Sequence, residues 1–500
     1  MLHQSRRHFL RALGATGISL PLLQHAHAAA PADAWASAYA KYDGPFNAGF
    51  NGTLETANLK IEGRLPAALR GTFYRNGPAR MRLGATAYNH WFDGDGMVQA
   101  FRFGDGKASH RGVMLRTPKL VEEEVAGRFL YPAFGTTFAD AKTVNNPDVM
   151  NVANINLLAM NGGRDLYALW EGGSALKIDP QTLAAQGFKT WSPDTEGAPF
   201  SAHPRIAPDG TVWNFGYMPG SGKLVLYEIG ADGVLKRQAI LDTAQADLVH
   251  DFAITERYLV FLLMPLNFKH VEQAGLSFLD RYQWQRDAPL VAMLVDKRDF
   301  SMRRFELPNA GVFHIGNAWE EKGVLRFSYP IQLDILNAMQ HMQVTRQQRS
   351  DNPWPTVWSE VELDLASGRA RQSSSLSQVE FPRFDTRHTG QPSSLTVLLH
   401  RSASMAADVS GFNSVLALRH NRVDRHVYGG DQIAEEHIFV PKNQSAKEGD
   451  GWILGTAYNW VSERTTLSVF DAHHVGDGPL AQVHLPYGLP LGLHGQFVAG

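Results

Sequence analysis

The chain has 500 residues, with 47 lysines and arginines against 49 aspartates and glutamates, a formal net charge of −2, 20 histidines and no cysteine. This near-neutrality removes the electrostatic case for a nucleic-acid partner, which would need a basic surface. Without thiols there are no disulfides and no thiolate metal sites, so a metal could be held only by imidazole or oxygen.

The first residues read as an address rather than as fold. Ser5-Arg6-Arg7-His8-Phe9-Leu10 carries paired arginines, Leu13 to Leu23 is a short apolar stretch, and Ala26-His27-Ala28 is a small-residue cleavage site. The expectation is a twin-arginine export signal over residues 1–28, one domain over 29–500, and a soluble periplasmic protein. A disordered basic tail is the blander alternative. No other run reaches the ~18 uncharged apolar residues that a membrane span needs.

From about residue 60, short runs rich in β-branched and aromatic residues recur between Gly, Pro, Asn and Asp turns. They include Asp165 to Trp170, Thr211 to Tyr217, Lys223 to Ile229, Tyr258 to Met264, Val291 to Asp296, Val324 to Tyr329, Val357 to Leu363, Ser394 to His400, Val415 to Arg419, His437 to Val440, Trp452 to Tyr458 and Thr466 to Phe470. This density leaves no room for alternating helices and predicts an all-β fold. So many short strands over more than 400 residues favour a propeller over a sandwich. Two longer charged and amide-rich stretches break the pattern, Leu266 to Trp284 and Pro330 to Arg349. In the second, Ile331, Ile335, Met339 and Met342 stand at helical spacing. Both are expected to be helical insertions covering one end, or else ordinary surface helices, and the apolar residues of the first are a candidate contact with a membrane surface.

Four histidines follow apolar or small residues at apparent strand ends: His203 in Ser201-Ala202-His203-Pro204-Arg205, His250 in Leu248-Val249-His250-Asp251-Phe252, His314 in Val312-Phe313-His314-Ile315-Gly316, and His494 in Leu491-Gly492-Leu493-His494-Gly495. The last lies in a tail with no charged residue between His484 and residue 500. Its glycines let the backbone approach a neighbour closely, which suggests a metal ligand. Taken singly, a buried histidine is more often a hydrogen-bonded core residue.

Further motifs change that balance. Phe73-Tyr74-Arg75-Asn76-Gly77-Pro78, His90-Trp91-Phe92-Asp93-Gly94-Asp95-Gly96-Met97, Glu380-Phe381-Pro382-Arg383, Glu436-His437-Ile438-Phe439-Val440-Pro441 and Glu448-Gly449-Asp450-Gly451-Trp452 occur in that order. With the four histidine contexts, the chain resembles the carotenoid cleavage oxygenase family, which includes the lignostilbene dioxygenases. The resemblance implies a seven-bladed β-propeller with a helical and loop cap, and one non-haem Fe(II) on its axis held by His203, His250, His314 and His494. It also implies three glutamates, Glu171, Glu380 and Glu436, accepting hydrogen bonds from ligand imidazoles. The implied activity is cleavage of a conjugated C=C bond by dioxygen, on an apolar carotenoid or apocarotenoid, or alternatively on a stilbenoid. In the stilbene-cleaving branch a tyrosine and a lysine grip a phenol; Tyr88 and Lys119 are the candidates here.

Elementary coordination chemistry agrees with that arrangement. A ligand imidazole gives one nitrogen to the metal, so the other carries a proton and, when buried, needs an acceptor. A two-histidine, one-carboxylate site is the competing arrangement. The only His-x-Glu, His270-Val271-Glu272, falls in an expected insertion. Asp93-Gly94-Asp95-Gly96 lacks the later ligands of a calcium loop and reads as a turn. Gly220-Ser221-Gly222-Lys223 lacks the Ser or Thr of a phosphate loop and reads as a hairpin. Readings from other classes are a metal-dependent propeller hydrolase and a non-catalytic binding propeller.

Overall fold

The computed structural model describes residues 34–43, 51–269, 275–342, 355–406, 409–420 and 422–500. The expected export signal and His270-Val271-Glu272 lie outside the described residues. Seven antiparallel sheets form a seven-bladed β-propeller. Blades 1 to 6 each begin with their innermost strand, at Asn156–Met160, Arg205–Ile206, Phe252–Ile254, Gly311–Val312, Val379–Arg383 and Gln432–Pro441. Blade 7 runs outward from Gly495–Ala499 through Gly71–Arg80, Asp95–Gly104 and Lys107–Met114 to Thr53–Thr56.

The composition of each strand follows its distance from the axis. Val212–Tyr217 and Leu290–Asp296, second and third in their blades, are buried along their whole length between neighbouring sheets. They therefore read as unbroken apolar runs rather than alternating ones. The outermost strand Ala370–Ser377 is largely exposed and reads ARQSSSLS. Every predicted strand lies on an observed one.

Chain ends close the ring. Gly495–Ala499 pairs with Gly71–Arg80, placing Gly495 opposite Arg75 and Phe497 opposite Phe73. Lys60–Gly63 completes the outer edge of blade 6 against Ala481–His484. Phe73, Phe101, Leu454, Leu467 and Leu485 fill the core between blades 6 and 7. The closure depends on glycine. A Cβ at Gly495 would stand 2.6 Å from the Phe73 ring and 2.7 Å from the Tyr74 carbonyl oxygen, and one at Gly492 would stand 2.3 Å from Arg75 Nε.

The two interrupting stretches are less helical than expected. Leu266–Phe268 pairs with Tyr282–Trp284 as a small two-stranded sheet, with Leu266 and Tyr282 buried and their neighbours Asn267 and Gln283 exposed. A two-residue alternation in short segments outweighs the charged composition. In the second stretch Ile331 lies in the strand Val324–Gln332, and a helix begins only at Ile335, after Asp334 caps the Asn337 amide. Ile335, Met339 and Met342 face inward from that segment. Asp93 closes a turn ahead of the strand Asp95–Gly104, and Gly220-Ser221-Gly222 joins two antiparallel strands, as read. Among the described residues, no helix is long and apolar enough to cross a membrane.

Several histidines outside the candidate ligand set belong to the packing. His90 bonds the Met339 carbonyl, His110 sits between Gln99 and Tyr487, and His437 sits between Tyr428 and the Glu435 carbonyl. Burial pushes their pKa values down to about 4, 3 and 4 respectively. Each is neutral in the fold but takes up a proton below ~6.5 once unfolded. Stability from these residues is therefore full above that value and is lost as the pH falls towards 4. Melting midpoints measured from pH 8 to 4.5 should hold level above about 6.5 and then fall steadily.

Candidate metal centre

All four candidate histidines stand at the inner edge of a blade. His203 precedes Arg205–Ile206, His250 precedes Phe252–Ile254, His314 occupies the break between Gly311–Val312 and Ala318–Glu321, and His494 precedes Gly495–Ala499. Inner strands of a propeller converge, so residues far apart in sequence meet. His203 Nε2 lies 3.0 Å from His250 Nε2, and His314 Nε2 lies 3.1 Å from His494 Nε2. One nitrogen from each of the four falls within 4.8 Å of all the others.

The glutamates fix how these rings are turned. His250 Nδ1 meets Glu171 at 2.5 Å, His314 Nδ1 meets Glu380 at 2.6 Å and His494 Nδ1 meets Glu436 at 2.8 Å. A carboxylate accepts only, so each ring carries its proton on Nδ1 and presents a lone pair from Nε2. Between His314 and His494, two lone pairs then face each other at 3.1 Å with no proton to share. A cation between them removes that repulsion. Two nitrogens ~2.1 Å from one ion and at right angles are about 3.0 Å apart, so the spacing suits a single ion.

The charge balance agrees. Burial, reinforced by the neighbouring imidazoles, pushes His203 well below the usual histidine range. Burial also takes His494 to about 4, despite the Glu436 carboxylate. His250 is the exception: burial presses its pKa down, but the Glu171 carboxylate outweighs it and the ring ends above the ordinary value. Burial would raise Glu436, yet Arg383 and His494 hold it below the carboxylate norm.

Two β-bulges aim the glutamates. The register of Val379–Arg383 against its neighbour slips just after Glu380, where Phe381 adopts φ 55° and donates its amide to the Glu380 carboxylate. A second slip, between Ala434 and His437, turns the consecutive residues Glu435 and Glu436 both inward. A regular strand would send one of them to the opposite face. Glu436 takes His494, while Glu435 takes the Arg75 guanidinium, Thr456 and the Gly492 amide at 2.8 Å. Arg75 also holds the Pro490 carbonyl at 2.8 Å, and Asn76 exchanges two backbone bonds of 2.9 Å with Leu493 and His494. The tail bearing His494 is thereby bolted to the Phe73 to Pro78 motif.

A small apolar cavity adjoins the cluster, lined chiefly by Trp91, Phe92, Ile155, Phe313, Phe381 and Leu493, together with His250, His314, His494, Glu171 and Glu380. Met342, at the end of the helix Ile335–His341, contributes to the lining, and its carbonyl accepts from the Trp91 amide. Tyr217, which the sequence did not single out, donates its hydroxyl to Glu171, the most exposed of the three glutamates. A tyrosine ending the second strand of a blade carries no sequence signal for that role.

Tyr88 and Lys119 do meet, with Nζ donating to the tyrosine hydroxyl at 2.7 Å. Lys119 also donates to Asp95 at 2.9 Å and Glu123 at 2.7 Å, and the Tyr88 ring stacks on Phe129 at 3.8 Å. Both residues are fully buried, and neither lines the cavity above the histidines.

Comparison with known proteins gives this arrangement its class. Residues 49–499 match the model of the retinal pigment epithelial membrane protein family. The chain is 31% identical to apocarotenoid-15,15'-oxygenase of Synechocystis, over 87% of this chain and 92% of that protein. It is 30% identical to lignostilbene-alpha,beta-dioxygenase isozyme III of Sphingomonas paucimobilis, over 88% and 93%. The crystal structure of cobalt-substituted Synechocystis ACO superposes with a TM-score of 0.82 at 27% identity, covering 93% of this chain and 98% of that one. The chain belongs to the carotenoid cleavage oxygenase family, whose members cleave double bonds in carotenoids, apocarotenoids or stilbenes.

Replacing His314 with Ala should abolish binding of a divalent metal by the purified protein. Replacing Glu380 with Gln should weaken it by ~10 to 100-fold, because the ring keeps its nitrogen but exchanges a charged acceptor for a neutral amide that can also turn its NH2 towards Nδ1. Equal and mild losses in metal titrations of the two variants would contradict this division of roles.

Proposed function

We propose that His203, His250, His314 and His494 hold one Fe(II), and that the protein is a dioxygenase cleaving a conjugated C=C bond of a carotenoid or apocarotenoid into two carbonyl fragments. The observation that carries this reading is the convergence of four imidazoles, three of which give their Nδ1 protons to carboxylates and line an apolar cavity. Neutral imidazoles suit iron, cobalt or zinc. That a structural relative is cobalt-substituted supports a divalent ion as the metal.

When bound, iron would supply the redox chemistry with dioxygen that no side chain can provide. The chain's own contribution is placement and exclusion of water. Trp91, Phe92, Phe313 and Phe381 offer flat apolar faces to a conjugated chain, and Ile155 and Leu493 leave no hydrogen-bonding partner for water. Glu171, Glu380 and Glu436 keep the imidazoles turned to one point and offset the charge of the ion without occupying it. The overall reaction takes one C=C bond and one dioxygen to two C=O bonds. The alkene supplies the electrons, so no flavin, nicotinamide or other reductant is required.

A polyene is favoured over a stilbenoid because the Lys119 ammonium is held by two carboxylates and lies off the cavity wall. The 30% identity to a lignostilbene dioxygenase keeps the second substrate class in the test. Mature protein should hold about one iron per chain. It should convert β-apocarotenals to shorter aldehydes in air and not under anaerobic conditions, and should do so faster than it cleaves hydroxystilbenes. Product masses after reaction in ¹⁸O₂ give the number of oxygen atoms incorporated. Activity persisting without oxygen would indicate a hydrolase, and iron-free protein without activity a binding propeller.

Delivery to the periplasm by the Arg6-Arg7 signal completes the proposal. An Arg6→Lys, Arg7→Lys double variant should stay in the cytoplasm, where fractionation would find it with its signal uncleaved.

A further inference from the structure

Glutamates orient three of the ligand rings, but His203 has none. Its Nδ1 stands 3.9 Å from Asp251, beyond hydrogen-bonding distance. Asp251 is instead committed to Arg205. Nη2 of Arg205 approaches the two carboxylate oxygens at 2.9 and 2.7 Å, and both side chains are largely withdrawn from solvent.

The pair reaches well beyond itself. The same Nη2 donates to the Ile315 carbonyl at 2.7 Å, and Nε donates to the Phe252 carbonyl at 2.6 Å. Asp251 accepts from the Phe252 amide at 2.8 Å and from the Ile315 amide at 2.7 Å. Both backbone polar groups of Ile315 are thus held by the pair. Arg205 lies two residues after His203, Asp251 directly after His250, and Ile315 directly after His314. One guanidinium and one carboxylate therefore join three ligand-bearing segments from three successive blades.

We propose that Arg205 and Asp251 form a positioning pair that sets the mutual placement of His203, His250 and His314, and so governs how tightly the four-histidine site holds a divalent cation. This rests on reading the histidines as a metal site. The physical ground is direction rather than bulk stability. A buried ion pair adds little net stability over apolar residues of the same shape. A planar guanidinium opposite a carboxylate, however, fixes angles as well as distances. Segments that share no regular strand pairing at this point are thereby held in one frame, while the glutamates set the rotation of each ring within it.

The test uses Co(II), whose visible spectrum reports ligand geometry, added to metal-free protein. Asp251→Asn should weaken Co(II) binding ~10-fold or more, the scale seen when groups behind metal ligands are removed, and should alter the visible spectrum. Leu416→Ala, in the core between blades 4 and 5 and away from the ring closure, should lower the melting midpoint yet leave Co(II) affinity and spectrum as in the parent protein. If Asp251→Asn does not yield folded protein, Arg205→Lys keeps the charge, removes the fork and should give the same spectral change. Parent-like spectrum and affinity within about twofold in a folded variant would overturn the proposal.

Amide hydrogen exchange gives a readout that needs no metal. Exchange should rise together around residues 203–205, 250–252 and 314–316 in Asp251→Asn. If the parent protein binds no Co(II) but the three segments loosen together, the pair stands as a positioning device and the metal reading fails. If exchange rises only around residue 251, the pair is not a shared frame and the proposal fails.

Discussion

The structure depends on a hydrogen bond made three times, from the Nδ1 proton of an inner-strand imidazole to a buried carboxylate. That bond decides the tautomer, and the tautomer decides that Nε2 is a lone pair aimed at the axis. Burial alone would leave these rings neutral but free to choose which nitrogen faced inward. The carboxylates also place negative charge around the point where the four imidazoles converge, so a divalent ion held there would be partly balanced without a carboxylate taking up a coordination position.

A propeller suits this arrangement because its inner strands end close to a common axis while each blade has its own hydrophobic faces to satisfy. Blades packed face to face bury their middle strands completely, as at Val212–Tyr217 and Leu290–Asp296. Inner-edge residues are left to carry polar chemistry. Departures from regular strand geometry concentrate there too. The bulges at Glu380 and at Glu435-Glu436, and the left-handed backbone at Phe381, are local costs that re-aim side chains the period-two rule would direct elsewhere.

Ring closure and the candidate metal site share residues in this chain. The tail from Pro490 to Gly495 carries His494, starts the innermost strand of blade 7, and is tied to Arg75, Asn76 and Glu435. A fault in ring closure would therefore displace one of the four clustered histidines. The Phe73-Tyr74-Arg75-Asn76-Gly77-Pro78 motif takes on a physical meaning from this: Arg75 and Asn76 grip the returning tail, and Gly492 and Gly495 leave room for the approach.

The sequence by itself determined that the chain is all-β, because short apolar runs and turn residues report strand length and burial directly. It also determined which histidines and glutamates were candidates, through their contexts and their order along the chain. It misread Leu266 to Trp284 as helical, since short segments with charged residues satisfy more than one periodicity. Only the tertiary structure decided that His314 and His494 stand 3.1 Å apart, that Lys119 is held by Asp95 and Glu123, and that Tyr217 and the Arg205–Asp251 pair stand behind the ligands. Those facts join different blades. Strand patterns record how each segment meets its own sheet, whereas the meeting of separate sheets at the axis is fixed by how seven of them pack and close.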